Sequence, residues 1–327
     1  MKNAQNEIKT EIEKRNIYKD DDSGKVFLFA IVSPLLLALI ISFVISQIAR
    51  GQEIDSSVIT ENIGYSIAYS ICTFLMFAVI FFLYNKKQKI SFKAVNLNFK
   101  MKWHTYLLMV LVGVISLFGI QYFIGAFDNF LKVVGYPLDN SLSGLNPTSW
   151  WTYLLSIVLL AILPSIYEEF IFRGMILNGL RSRFNDYVSI LLSALMFAIM
   201  HNNIQQLIYP FLLGCIMGWI VLRTGSLVSS IIVHFINNFL VVTFAYIENA
   251  TGFSLSLADT WWFYLFAIAL LATTFAIYYL IDRYYFKHKS KEERERTSVK
   301  TSKYLYISFA VAGVLYLVAT ITTIVMG

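Results

Sequence analysis

The run VFLFAIVSPLLLALIISFVISQIA, residues 26–49, is twenty-four residues long and carries no charged side chain. About 20 apolar residues wound as a helix cross the ~30 Å hydrocarbon core of a bilayer. No water reaches the backbone there, so the chain must satisfy its own N–H and C=O groups, which a helix does. Further apolar runs follow at 63–84, 105–126, 150–180, 187–201, 206–222, 226–247, 261–286 and 304–326. Those at 187–201 and 206–222 are short for a crossing and are expected to be tilted, broken or buried among the others. Upstream, residues 1–25 are polar and read as a cytoplasmic tail with a frayed helix. The first run is longer than a signal-peptide core, so no cleavable leader is expected.

Composition supports the same class. The chain of 327 residues is 57% hydrophobic and 14% charged. A soluble domain carries about 25% charged residues, so this chain cannot cover a water-facing surface. The expectation is an all-α fold, a polytopic transmembrane bundle of about eight or nine helices around an intramembrane polar cavity. Its organisation reads as a tail (1–25), N-terminal transmembrane helices (26–149), a helical core (150–247), a following helix (248–286), and a basic loop with an appended C-terminal helix (287–327). The two cysteines, Cys72 and Cys215, sit in apolar runs and read as small buried hydrophobes.

The net charge of +6 calls for no nucleic acid. Basic residues collect in the cytoplasmic loops of membrane proteins. With the N-terminus inside and nine crossings, 23 Lys and Arg fall on the cytoplasmic side and 2, Arg50 and Lys132, on the other. The segments 85–104 and 287–303 then read as solvated cytoplasmic loops, able to touch anionic lipid.

Charge inside the hydrocarbon is the informative exception. Of twenty acidic residues, eighteen fall in loops, tails or span ends; the remaining two, Glu168 and Glu169, are adjacent in LLAILPSIYEEFIFRGMILNGLRSR, residues 159–183. Arg173 follows in the same run. A charge at the bilayer centre costs at least ~2.5–3.5 kcal/mol, so such residues need partners and mark function by default. Glu169 and Arg173 stand at i,i+4 and can pair. Glu168 then points about 100° away around the helix, unpaired. Pro164, lacking an N–H, leaves the Leu160 carbonyl without its helical donor and can kink the helix beside the glutamates.

Two histidines add to this. His201 ends LLSALMFAIMH with Phe197 one turn before it, and His234 lies in SSIIVHFINNFL with Asn238 one turn after it. Scattered in lipid, each would need its own polar partner; convergence on one wet cavity serves all of them. Helical rise places Glu168 about 20 Å from Arg181, His201 about 21 Å from the cytoplasmic end of its span and His234 about 12 Å from Ser226. A carboxylate in an apolar pocket is the setting of a general base, with a histidine to share the proton or hold the water. A histidine and an asparagine one turn apart suit a developing oxyanion. Hydrolysis of an amide by water is the reaction class this set fits.

These residues resemble the CPBP intramembrane proteases, the CAAX-protease and bacteriocin-processing (Abi) family. Its EExxxR motif is matched by Glu168, Glu169 and Arg173, its FxxxH motif by Phe197 and His201, and its HxxxN motif by His234 and Asn238. The resemblance covers about residues 150–245 and includes the LRTGSL run before the third motif. It implies that Glu168 and His201 activate the water, that His234 and Asn238 form the oxyanion hole, that Glu169 and Arg173 are a supporting ion pair, and that Phe197 packs beneath His201. Glu168, His201 and His234 are also three candidate ligands of an open zinc site, although the HExxH helix of soluble zinc proteases is absent. Metal-free and zinc-dependent routes both stay open.

The substrate so implied is a membrane-embedded or lipid-associated peptide or protein. The Lys-, Asn- and Ile-rich composition with short loops looks bacterial and places the chain in the cell membrane, where relatives serve bacteriocin maturation, self-immunity or regulation. A non-catalytic scaffold or immunity protein is the alternative. A proton-coupled transporter is a third class, but no inverted repeat or pair of broken helices is evident.

Overall fold

The computed structural model describes residues 18–60, 63–138, 147–252 and 302–326, with isolated positions between 265 and 276. The described residues form helices and connecting turns, with no strand among them. They are α1 (Asp20–Gln52), α2 (Ser56–Thr60), α3 (Ile63–Gln88), α4 (Trp103–Val133), α5 (Trp150–Leu180), α6 (Asp186–Met200), α7 (Ile208–Thr224), α8 (Leu227–Thr251) and α9 (Lys303–Met326). Six of these, α1, α3, α4, α5, α8 and α9, are long and apolar enough to cross a membrane. The expected span 261–286 lies largely outside the described residues.

Helix ends extend beyond the apolar windows because the ends are stabilised by other means. α1 begins at Asp20, where Asp20, Asp21 and Asp22 sit in the first turn and favour the positive end of the helix dipole. The Asp22 carboxylate accepts the Lys19 N–H at 2.8 Å. α6 starts on Asn185, whose side chain accepts from Val188 N, and α8 starts on Ser226, whose hydroxyl accepts from Val228 N. These are ordinary N-caps. α7 and α8 end on Gly225 and Gly252 in the left-handed region, as helix stops commonly do.

α4, α5 and α8 occupy the centre, and α1, α3 and α9 lie at the periphery with most of their apolar surface outward. Leu36, Leu39 and Phe43 on α1 and Phe82 and Leu83 on α3 are exposed, as lipid-facing residues should be. Cys72 is exposed too, contrary to the sequence expectation. It stands on α3, whose apolar surroundings are on the lipid side. Cys215 is partly buried.

The short α6 and α7 pack as a hairpin against α5 and α4. Gly214 makes the close approach possible: a Cβ there would lie 3.0 Å from Ala194 Cβ and 3.1 Å from Arg173 Nη2.

The segment between α3 and α4 is more than a solvated loop. Its 3₁₀ turn Phe92–Val95 buries Val95 against Gly174. Asn98 O accepts the Ser226 hydroxyl at 2.5 Å, and Ala94 O accepts Asn178 Nδ2 at 3.3 Å. Asp20 N donates to Ser182 Oγ at 3.1 Å. The basic segments that include Lys93, Lys100, Arg181, Arg183 and Arg223 therefore gather at one end of the bundle.

Candidate active site

α5 is the irregular helix. Two π-helical stretches, Ile157–Ile162 and Phe170–Ile176, flank Leu163–Glu169. Such turns often mark functional sites, because an extra residue in the turn re-aims the side chains around it. Pro164 sits at the start of the middle stretch and brings no N–H. In a regular turn that N–H would bond the Leu160 carbonyl; here Asn238 Nδ2 of α8 donates to that oxygen at 3.1 Å.

Both glutamates of the middle stretch are buried, Glu168 with 7% and Glu169 with 0% of its surface exposed. Glu169 Oε1 accepts Arg173 Nη1 at 2.7 Å and His234 Nδ1 at 3.0 Å. His234 Nε2 lies 3.7 Å from Glu168 Oε2. The two carboxylates thus face opposite edges of one imidazole. The expected divergence of Glu168 by 100° does not separate them: the long glutamate arms and the ring nitrogens on opposite edges span the gap. Since a carboxylate paired with arginine can only accept, His234 Nδ1 carries the hydrogen, and Nε2 faces Glu168.

Arg173 is wholly buried. Its guanidinium carbon stands 4.4 Å above the centre of the Phe197 ring, a cation–π contact that favours charge where water is absent. Arg173 Nε and Nη2 have no hydrogen-bond partner among the described residues.

Phe197 is the hub that joins the motifs. Its ring centre is 5.0 Å from that of His201 and 5.8 Å from that of His234, both nearly perpendicular to it. His201 Nδ1 lies 2.9 Å from Phe197 O. A carbonyl only accepts, so Nδ1 carries the hydrogen and Nε2 is left to act on a substrate or water. His201 closes α6, and Asn202, with φ of 50°, turns the chain out of the helix.

The structure therefore brings Glu168, Glu169, Arg173, Phe197 and His234 together, with His201 on the far contact of the Phe197 ring. Among the described residues, the polar partner shown for His201 is Phe197 O and not Glu168. Asn238 is engaged with α5 through one of its two amide hydrogens. Among the described residues, no three His, Cys, Asp or Glu side chains converge as a metal-ligand set.

Asn237 was not singled out by its sequence. It is fully buried, accepts the Tyr209 hydroxyl at 2.6 Å and donates to Gly113 O at 2.9 Å and Ser116 Oγ at 3.2 Å. It ties α4, α7 and α8 together behind His234. The signal was present in the Asn237–Asn238 doublet within an apolar run, where either amide must find partners.

Fold and site define a class: a multi-pass helical membrane protein with a buried glutamate–histidine cluster between its central helices. Residues 149–240, which contain all seven motif side chains, match the family described as type II CAAX prenyl endopeptidase Rce1-like. That segment is therefore similar to the CAAX-protease (CPBP) family, a family of proteases. No curated protein and no solved structure matches it.

Proposed function

We propose that this protein is an intramembrane endopeptidase that hydrolyses a peptide bond in a membrane-associated peptide or protein. The observation that carries the reading is the asymmetry of the two buried acids. Glu169 is neutralised by Arg173 and hydrogen-bonded by His234, whereas Glu168, among the described residues, has no Lys or Arg within ion-pair distance and meets the His234 imidazole and the Tyr167 hydroxyl. An acid so placed can take a proton from water.

In this reading Glu168 is the general base and His201, with Nε2 disengaged, orients the attacking water. The second amide hydrogen of Asn238, and His234 Nε2 once it takes up the proton that Glu168 removes from water, stabilise the oxyanion, a contribution of about 2.7–4 kcal/mol per donor. Glu169 and Arg173 hold His234 in its tautomer, and Phe197 fixes both imidazoles. The proton taken by Glu168 passes to the leaving amine, so no metal is needed. The substrate is a lipid-anchored or membrane-embedded peptide that reaches the bundle from the bilayer.

The test uses purified protein in liposomes with two internally quenched peptides, one prenylated at a C-terminal CAAX sequence and one an unmodified apolar peptide. Glu168→Ala and His201→Ala should each abolish cleavage while accumulating normally; full activity in both would refute catalysis at this site. A parallel arm strips metal with a chelator. Retained cleavage is expected, and loss restored by zinc would instead make Glu168, His201 and His234 ligands.

A further inference from the structure

The C-terminal helix lies outside the matched segment, residues 149–240, yet it reaches the site. Its start is fixed at the basic end of the bundle: Ser302 N donates to Asp20 Oδ2 at 2.9 Å and Ser302 Oγ to Asp21 Oδ1 at 2.7 Å. Gly24 lets the helices touch backbone to backbone, since a Cβ there would lie 2.5 Å from Leu305 N. From that anchor α9 turns one face inward. Leu305, Ser308 and Ala312 are buried, and Phe309 meets Phe27 at 5.7 Å between ring centres. The opposite face, with Tyr306, Val314, Leu317 and Val318, is exposed. Continuing the inward spacing of three and four residues gives Tyr316.

The Tyr316 hydroxyl donates to Asn203 O at 3.0 Å. Asn203 lies in the turn between α6 and α7, two residues after His201. The depths agree: Tyr316 is about 20 Å along α9, and His201 about 22 Å along α6, at 1.5 Å per residue. Non-helical backbone at such depth is tolerated only where protein covers it. Asn203 O already accepts Gln206 N within the turn, at 3.1 Å, so the tyrosine is not needed to satisfy that carbonyl. What it adds is a tether from a separately anchored helix.

We propose that α9 is a strap and Tyr316 a positioning residue, which holds the 201–207 turn so that His201 presents Nε2 to the site. The inference rests on the protease reading given above. It predicts that Tyr316→Phe, which removes one oxygen, loosens the turn and slows the chemical step without weakening substrate binding.

Wild type, Tyr316→Phe, Glu168→Ala and the lipid-facing control Val318→Ala are compared in liposomes with the same two quenched peptides, together with hydrogen exchange of residues 201–207. Loss of one hydrogen bond should speed exchange of that turn about fivefold in Tyr316→Phe and lower kcat by a similar factor at unchanged KM. Val318→Ala should match wild type in both. Unchanged exchange overturns the strap, and faster exchange with wild-type turnover overturns the positioning role. If wild type and Glu168→Ala show equal rates, the protease reading fails and takes the positioning of His201 with it. Active wild type, inactive Glu168→Ala and a Tyr316→Phe indistinguishable from wild type would sink this inference alone.

Discussion

Glu169 and Glu168 are neighbours with opposite fates. Among the described residues, Glu169 gives Arg173 its only hydrogen-bonded counter-charge, in a place where neither is exposed. Removing one member of a buried pair costs about 3–5 kcal/mol because the other is left charged without a partner. Glu169→Ala is therefore expected to lower the amount of folded protein in the membrane, measured by immunoblot and thermal aggregation. Normal abundance with abolished cleavage would give Glu169 a chemical part instead. The pair itself was legible from the i,i+4 spacing. The place of His234 was not, because spacing along one helix says nothing about which residue of another helix stands opposite.

At the scale of the element, α5 departs from regular geometry and α6 and α7 are held close by small residues. The π-helical stretches escape a sequence reading: Pro164 signals an irregularity, but not its π-helical form or the bond from Asn238 of α8 to the Leu160 carbonyl. The α6–α7 contact depends on Gly214, where any side chain meets Ala194 and Arg173. Gly214→Leu should overpack this contact at a cost of about 1–3 kcal/mol, seen as a lower unfolding temperature in detergent. An unchanged unfolding temperature would show that α7 has room to spare. The span 150–180 was legible as α5, whereas α1 and α4 run six and seven residues past the apolar windows 26–49 and 105–126, because hydrocarbon thickness sets the apolar window and capping sets the helix end.

For the whole molecule, the linkers between α3 and α4, α5 and α6, and α7 and α8 gather at one end with the start of α1. The positive-inside bias leads us to propose that this end faces the cytoplasm. A tag at the N-terminus should be shielded from an impermeant label in intact cells, and a label placed at Arg50 should be reached; the reverse pattern would invert the assignment. The sequence by itself determined the membrane class, the succession of helices and which few polar residues stand in the wrong solvent. Those follow from local chemistry, since each residue carries its own cost of leaving water. Only the tertiary structure decided that His234 lies between both glutamates, that Phe197 touches both histidines, and that Tyr316 of the last helix tethers the turn after His201. These are contacts between helices distant in sequence, fixed by packing in three dimensions.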